Sequence, residues 1–399
     1  MLNIFADLHI HIGRTNSGRA VKISGSRNLT FHEIAREASE RKGIELIGII
    51  DCHSPGVQED IERYLEAGEM TELPGGGIRY RNTTVLLGTE IEVKDQGMGP
   101  AHLLVYLPTL AEMKSFTEWM KPHMSNIHLS SQRIYVPART LQQEVLARGG
   151  ILIPAHMFTP HKSVYGSCTD KLSHLLDLDG VIAGELGLSS DTRMASMLTE
   201  LDTIAFVTNS DAHSLAKIGR EYNRLKVAEP SFSECVKALK GEAGRAIIAN
   251  YGLNPYLGKY HRSFCNSCGS TMDISQHPAA QANKTTFHQC PECGSKKLIR
   301  GVMNRIEELA DRPPGESPPK RPPYYYQVPL EFIPGIGRRT LEDLLAHFGT
   351  EMNILHHVPE EELIARIGEE KARYLSEARS GQLGIEAGGG GHYGKVRRH

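Results

Sequence analysis

Nowhere does this 399-residue chain carry an apolar run near the roughly 20 residues that a membrane-spanning helix needs, so no membrane partner is expected. Its start, Met1-Leu2-Asn3-Ile4-Phe5-Ala6-Asp7, has neither a basic region nor a cleavage site and does not read as a signal peptide. The formal net charge is only −2, which leaves any binding of polyanions to local basic patches. Cysteine is scarce. Of seven, four fall in one patterned group, while Cys52, Cys168 and Cys235 are scattered as small hydrophobes would be. That usage fits a reducing, cytoplasmic compartment. A convincing Ser-His-Asp set is also missing, so no side-chain nucleophile is expected.

What the chain has instead is a recurrence of histidines and carboxylates just after short apolar runs. Asp7-x-His9-x-His11 follows Ile4-Phe5, Asp51-x-His53 follows Leu46 to Ile50, and Glu90-x-Glu92 follows Val85-Leu86-Leu87. His102 opens Leu103-Leu104-Val105-Tyr106, His156 follows Ile151-Leu152-Ile153, Glu185 follows Val181-Ile182, and Asp211-x-His213 follows Ile204 to Val207. Continuous apolar runs alternating with amphipathic stretches read as buried parallel strands joined by helices. If the strands close into one barrel, these residues meet at the strands' C-terminal mouth. A lone histidine at a strand end is usually a hydrogen-bonded core or loop residue. Seven segments with the same placement point to a cluster of divalent metals and to a hydrolase.

The chain has room for two or three domains. Residues 1–250 hold the alternating pattern and all these candidates. The loop after the first strand is long and basic: Arg14, Arg19, Lys22 and Arg27 sit among glycines and serines, a composition suited to a phosphodiester backbone. Across 255–302, Cys265-x2-Cys268 and Cys290-x2-Cys293 have the spacing of a ribbon closed around one structural Zn2+. Its neighbours His261, Arg262, Lys284, Lys296 and Lys297 would let it rest on nucleic acid. Residues 303–326 include the stiff proline-rich stretch 311–323 and read as a linker ending in Tyr324-Tyr325-Tyr326, expected to pack between domains rather than stack on bases. In 327–380, Pro334-Gly335-Ile336-Gly337-Arg338-Arg339-Thr340 precedes an amphipathic helix. Gly335 and Gly337 allow a turn whose amides face a phosphate, with Arg338 and Arg339 adding charge. This looks like a helix-hairpin-helix, with a weaker second hairpin at Ile364–Ala372. Residues 381–399 form a glycine-rich basic tail.

The barrel residues resemble the polymerase-and-histidinol-phosphatase (PHP) superfamily, whose members use a distorted (β/α)7 barrel carrying up to three metals. His9, His11, Glu90, His156, Asp211 and His213 match its motifs, with His102 close behind. One departure concerns the second motif, where Ile50-Asp51-Cys52-His53 stands in place of Thr-Asp-His, so either Asp51 or His53 fills that position. Glu185 is a further candidate ligand or substrate contact. The order of barrel, zinc ribbon and helical region resembles the endonuclease Q family along essentially the whole chain. That resemblance implies cleavage 5′ of deaminated bases (uracil, hypoxanthine, xanthine) or abasic sites in single- or double-stranded DNA. Zn2+ or Mn2+ is expected in the barrel, with Mg2+ as an alternative. On this reading Glu90 bridges two cations, His9, His11 and Asp211 completing one and His102 and His156 the other. His213, with Asp51 or His53, holds a third. Repair or replication proteins and a nucleoid location complete the expectation. The rival readings are a general PHP-type DNA nuclease, a histidinol-phosphatase-like small-molecule phosphatase, and a DNA-binding module with a catalytically retired barrel.

Overall fold

The apolar runs become strands because both of their faces are covered. In the computed structural model, which describes residues 1–272, 289–386, 388, 392 and 394–396, the first region contains β1 (Leu2–His11), β2 (Leu46–Ile50), β3 (Thr71–Glu72), β4 (Ile78–Tyr80), β5 (Thr83–Val93), β6 (Ala101–Leu107), β7 (Ile151–Pro154), β8 (Ala183–Glu185), β9 (Ala205–Val207), β10 (Tyr222–Val227) and β11 (Ala246–Gly252). Pairing runs β1–β2–β5 in parallel, then β5–β6–β7 antiparallel, with β8–β9 parallel beside them. The amide of Met157 donates to the Glu185 carbonyl, and the amide of His11 to the Ala212 carbonyl, so the last of these strands return to the first. One apolar cluster takes Ile4, Ala6 and Leu8 from β1, Leu46 and Ile50 from β2, and Leu86 from β5. Leu104 and Tyr106 from β6, Ile151 and Ile153 from β7, Ala183 from β8 and Val207 from β9 also belong to it. Phe232, Cys235 and Leu239 of the helix Phe232–Lys240 join the same cluster. The result is a mixed α/β fold around a central sheet.

The expectation of uniformly parallel strands is corrected at β6, which runs antiparallel to both β5 and β7. Only residues 94–100 connect β5 to β6, fewer than the dozen or so that a parallel crossover needs. The chain must therefore double back. The reversal carries His102, at the beginning of β6, to the mouth where the other strands end, and pairs it with Glu92 in the β5–β6 ladder.

The later segments fold back on this body. β12 (Ser263–Cys265), β13 (Thr271–Met272) and β14 (Leu298–Ile299) form a small antiparallel sheet bearing the cysteines. The expected linker 303–326 differs in form: it opens in the helix Val302–Leu309 and continues as a strap held to the first region. Asp311 accepts from the Thr199 amide at 2.8 Å, Arg312 pairs with Asp202, and Arg321 donates to the carbonyls of Leu201 and Ile204. Tyr324–Tyr326 form β15, parallel to the edge strand β11. Four helices follow, Arg338–Phe348, Glu351–His356, Glu360–Ile367 and Glu369–Arg379. At the first glycine turn, where a full hairpin is expected, a single 3₁₀ turn (Leu330–Phe332) precedes the helix. The second, at Gly368, lies between two helices. Lys284, and Arg397, Arg398 and His399 of the tail, lie outside the described residues. No helix among the described residues is long and apolar enough to cross a membrane.

Candidate metal centre

Alternation along β1 sends His9 and His11 to the same side, and both are fully buried with their Nε2 atoms 3.3 Å apart. Glu90, from β5, lies between two histidine pairs. Its Oε1 is 3.8 Å from His9 Nε2, and its Oε2 is 3.7 Å from His11 Nε2. The same Oε1 is 2.8 Å from His102 Nδ1 and 3.4 Å from His156 Nε2. Asp211 Oδ1 lies 3.5 Å from the Nε2 atoms of both His9 and His11, and 3.7 Å from His213 Nδ1. Three overlapping donor groups result, with atoms within 4.8 Å of one another: His9-His11-Glu90, His11-Asp211-His213 and Glu90-His102-His156.

These donors fit divalent cations. Although His102 approaches Glu90 closely, neither of its buried ring nitrogens has an aligned hydrogen-bond partner among the described residues. Burial alone would raise the Glu90 and Asp211 carboxyls, but surrounding positive groups (His102 and Lys22 for Glu90, His9 and His11 for Asp211) hold both well below the usual range. Burial likewise opposes a charge on His9, yet Glu185, Asp211 and Glu90 outweigh it and raise its pKa to about 10. Burial lowers His213 to about 4, partly countered by Asp211. The carboxylates that favour a proton on His9 equally favour a metal cation in that proton's place, and carboxylates and imidazoles crowded this closely are the donor types that zinc- or manganese-type sites use.

Three expected ligands stand outside these groups. Glu185 Oε2 contacts His9 Nδ1 at 3.0 Å, and its carboxylate also accepts from the Asn209 side chain and the His156 amide. Asp51 Oδ2 contacts His11 Nδ1 at 3.1 Å and accepts from the Ile12 amide at 3.1 Å. Both carboxylates therefore lie behind a histidine, where they fix its ring and turn Nε2 into the centre. His53 has both nitrogens engaged elsewhere, with Thr89 Oγ1 at 2.7 Å and the Leu129 carbonyl at 3.3 Å.

The donors open into a cleft of about 420 Å3. Of the expected basic loop only Lys22 lines it, with Nζ 3.4 Å from Glu90 Oε2 and 2.6 Å from Ser131 Oγ. Arg14 donates to the Gly18 carbonyl within its own loop, and Arg19 and Arg27 are exposed outside the lining. The remaining cationic lining comes from Lys162, Lys217, Arg220 and Lys259, with Tyr260 on the wall. Sequence reasoning missed these; the available signal was their position a few residues after His156, after His213 and before the cysteine ribbon. Gly337 and Arg338 line a second groove with Ser26, Asn28 and Ser214, while Gly335 and Arg339 are exposed beside it. In the ribbon, Cys265, Cys268, Cys290 and Cys293 converge, with cross-pairs at 3.6 Å (Cys265–Cys293) and 3.7 Å (Cys268–Cys290). Cys52, Cys168 and Cys235 are buried away from them.

No protein-family model matches the chain. It is 51% identical over 399 residues to the uncharacterized protein YqxK of Bacillus subtilis (strain 168), covering all of both chains. It superimposes on the lesion-specific endonuclease PfuEndoQ of Pyrococcus furiosus with a TM-score of 0.82 and 32% identity, covering 99% of this chain and 95% of that one. A structure of endonuclease Q with a 27-mer duplex substrate, an abasic lesion at its active site, matches equally well. The TM-score there is 0.82, with 31% identity and coverage of 100% and 97%.

Proposed function

The chain belongs to the endonuclease Q family, and from that premise we propose that it cuts DNA 5′ of a damaged nucleotide, with deaminated bases and abasic sites as its lesions. It is a metal-dependent hydrolase acting on DNA. The observation that carries the lesion reading is the full-length likeness to an endonuclease holding an abasic duplex at its active site. We read the seven strands β1, β2, β5, β6, β7, β8 and β9 as the distorted PHP barrel, residues 255–302 as a zinc ribbon, and 327–380 as a helix-hairpin-helix-like DNA-binding region. Its Gly335, Gly337, Arg338 and Arg339 face phosphates on this reading.

The clustered imidazoles and carboxylates would hold divalent cations, Zn2+ or Mn2+ in our reading, which would supply Lewis-acid activation of water and charge neutralisation at the scissile phosphate. Glu90 serves both sides of the centre, with His9, His11 and Asp211 on one and His102 and His156 on the other. His213 completes the outer group with His11 and Asp211. Glu185 and Asp51 orient His9 and His11. Lys22, Lys217 and Arg220 hold phosphate oxygens flanking the cut, since guanidinium and ammonium groups at a cleft rim pair with them. A phosphatase reading leaves the ribbon and the helical region without a role. Repair or replication proteins, and a nucleoid location, follow from the substrate.

End-labelled duplexes carrying a uracil, a hypoxanthine, an abasic site or no lesion test this directly. With Mn2+, a single cut 5′ of the lesion is expected, lost in the Asp211→Ala, His213→Ala protein. Equal degradation of the undamaged duplex would refute lesion specificity.

A further inference from the structure

The loop that carries Asp211 and His213 has two faces. Asp211, His213, Lys217 and Arg220 line the metal cleft. Leu215 and Ala216 line a different groove, of about 510 Å3, whose far wall is Gly337, Arg338 and Leu341 of the C-terminal helical region. Lys42 lies at the junction. It ends the π-helical turn Glu37–Lys42, and its Nζ donates to the Ala216 carbonyl at 3.0 Å and to Glu351 Oε1 at 2.9 Å. The side chains of Lys42 and Glu351 are only 5% and 8% exposed. Glu351 begins the helix Glu351–His356, directly after the helix that starts at Arg338.

Neighbouring contacts make this junction close and well defined. At Gly43 (φ +76°) a β-carbon would come within 2.3 Å of Thr350 Oγ1, so the helical region meets the backbone there. Arg41 forks the Glu342 carboxylate with two 2.9 Å hydrogen bonds. On the metal side, the Ser26 amide donates to the His213 carbonyl, and the Gly219 amide to Asp7 Oδ2. The loop is thus held from the barrel on one side and by a buried ammonium, shared with the helical region, on the other.

We propose that Lys42 is a positioning residue for the metal centre, through which the C-terminal helical region sets the loop bearing Asp211 and His213. A buried ammonium fits this task, because leaving it unpaired is costly and its two acceptors come from parts of the chain far apart in sequence. The proposal rests on the metal-centre reading above but not on which DNA lesion is cut.

The test uses the full-length protein. Lys42→Met alone leaves the largely buried Glu351 carboxylate with the more distant Arg41, at 3.9 Å, and loses stability, so the informative variant is the double Lys42→Met, Glu351→Met, with Lys42→Arg as the conservative rescue. Four quantities are read: Mn2+ affinity of the metal centre by chelator-buffered titration, kcat and KM on an abasic duplex, and duplex affinity in EDTA. For the double variant, Mn2+ affinity and kcat should each fall roughly 10- to 100-fold, as when a group orienting a metal ligand is lost. Its EDTA duplex affinity and its KM should stay near wild type, and Lys42→Arg should recover most of the loss. Wild-type Mn2+ affinity and kcat in the double variant would overturn the proposal, as would a change confined to KM. If wild type cut no lesion, the Mn2+ titration would still decide it, and only the substrate reading would fail.

Discussion

Asp51 (φ 94°), His156 (φ 28°) and Asp211 (φ 44°) all occupy the left-handed region that side-chain-bearing residues rarely adopt. Such conformations cost roughly 1–3 kcal/mol each and persist where surrounding bonds over-determine them. Here they do: the His156 amide donates to Glu185, Arg220 Nη2 donates to the Asp211 carbonyl, and the Cys52 amide beside Asp51 donates to the Gly88 carbonyl. The strain turns each side chain at a strand end inward. A different residue, Glu221, sets a pH dependence. Burial raises its carboxyl to about 8, although the Thr208 hydroxyl and the Leu253 amide donate to it. A folded-state pKa above the ordinary 4.5 means that its contribution to stability is full below about pH 4.5 and is lost as pH rises towards 8. Glu221→Gln, a neutral stand-in for the protonated acid, should therefore match wild type near pH 4.5. It should grow more stable than wild type by up to about 1.4 kcal/mol per pH unit above that. Urea midpoints at pH 5, 7 and 8.5 would show the divergence; parallel curves would rule it out.

At the level of elements, strand positions were legible because Ile47, Leu87, Leu104 and their neighbours are buried whichever face they use, which makes the apolar run continuous. Strand direction was not legible. Periodicity is identical for parallel and antiparallel strands, and only the short 94–100 connection carries the reversal that places His102. The convergence of the four cysteines was legible, since two thiolate pairs at this spacing suit one tetrahedral site. Their placement was not. The segment just before β12 brings Lys259 and Tyr260 to the cleft, and Tyr260 lies edge-on to His161 with ring centres 5.6 Å apart. Cys268→Ser with Cys290→Ser should thus do two things: remove one equivalent of bound zinc, measured by atomic emission, and raise KM for duplex DNA as that wall loosens. Loss of the zinc with KM unchanged would restrict the ribbon to local folding.

Across the whole molecule, the C-terminal helices are part of the packing of the central sheet. His356 stacks on Phe5 of β1 at 4.6 Å and shares a 2.8 Å hydrogen bond with the Tyr222 hydroxyl of β10, while Tyr251 of β11 meets the same ring edge-on. Deleting residues 327–399 should consequently lower the thermal midpoint of the remaining α/β fold and weaken DNA binding together. Scanning calorimetry with a parallel duplex titration would check this, and an unchanged midpoint would make the region an independent appendage. The sequence by itself determined which residue types meet. Imidazoles and carboxylates recur behind apolar runs and thiols fall in paired knuckles, and that recurrence, rather than any single residue, is why His9, His11, Glu90, His102, His156, Asp211 and His213 could be named as one candidate set before the structure gathered them. Only the tertiary structure decided their division of labour. Whether a carboxylate reaches the centre, as Glu90 and Asp211 do, or lies behind a histidine, as Glu185 and Asp51 do, depends on a few ångströms set by strand register and backbone turn. Residue identity and spacing do not encode that distance.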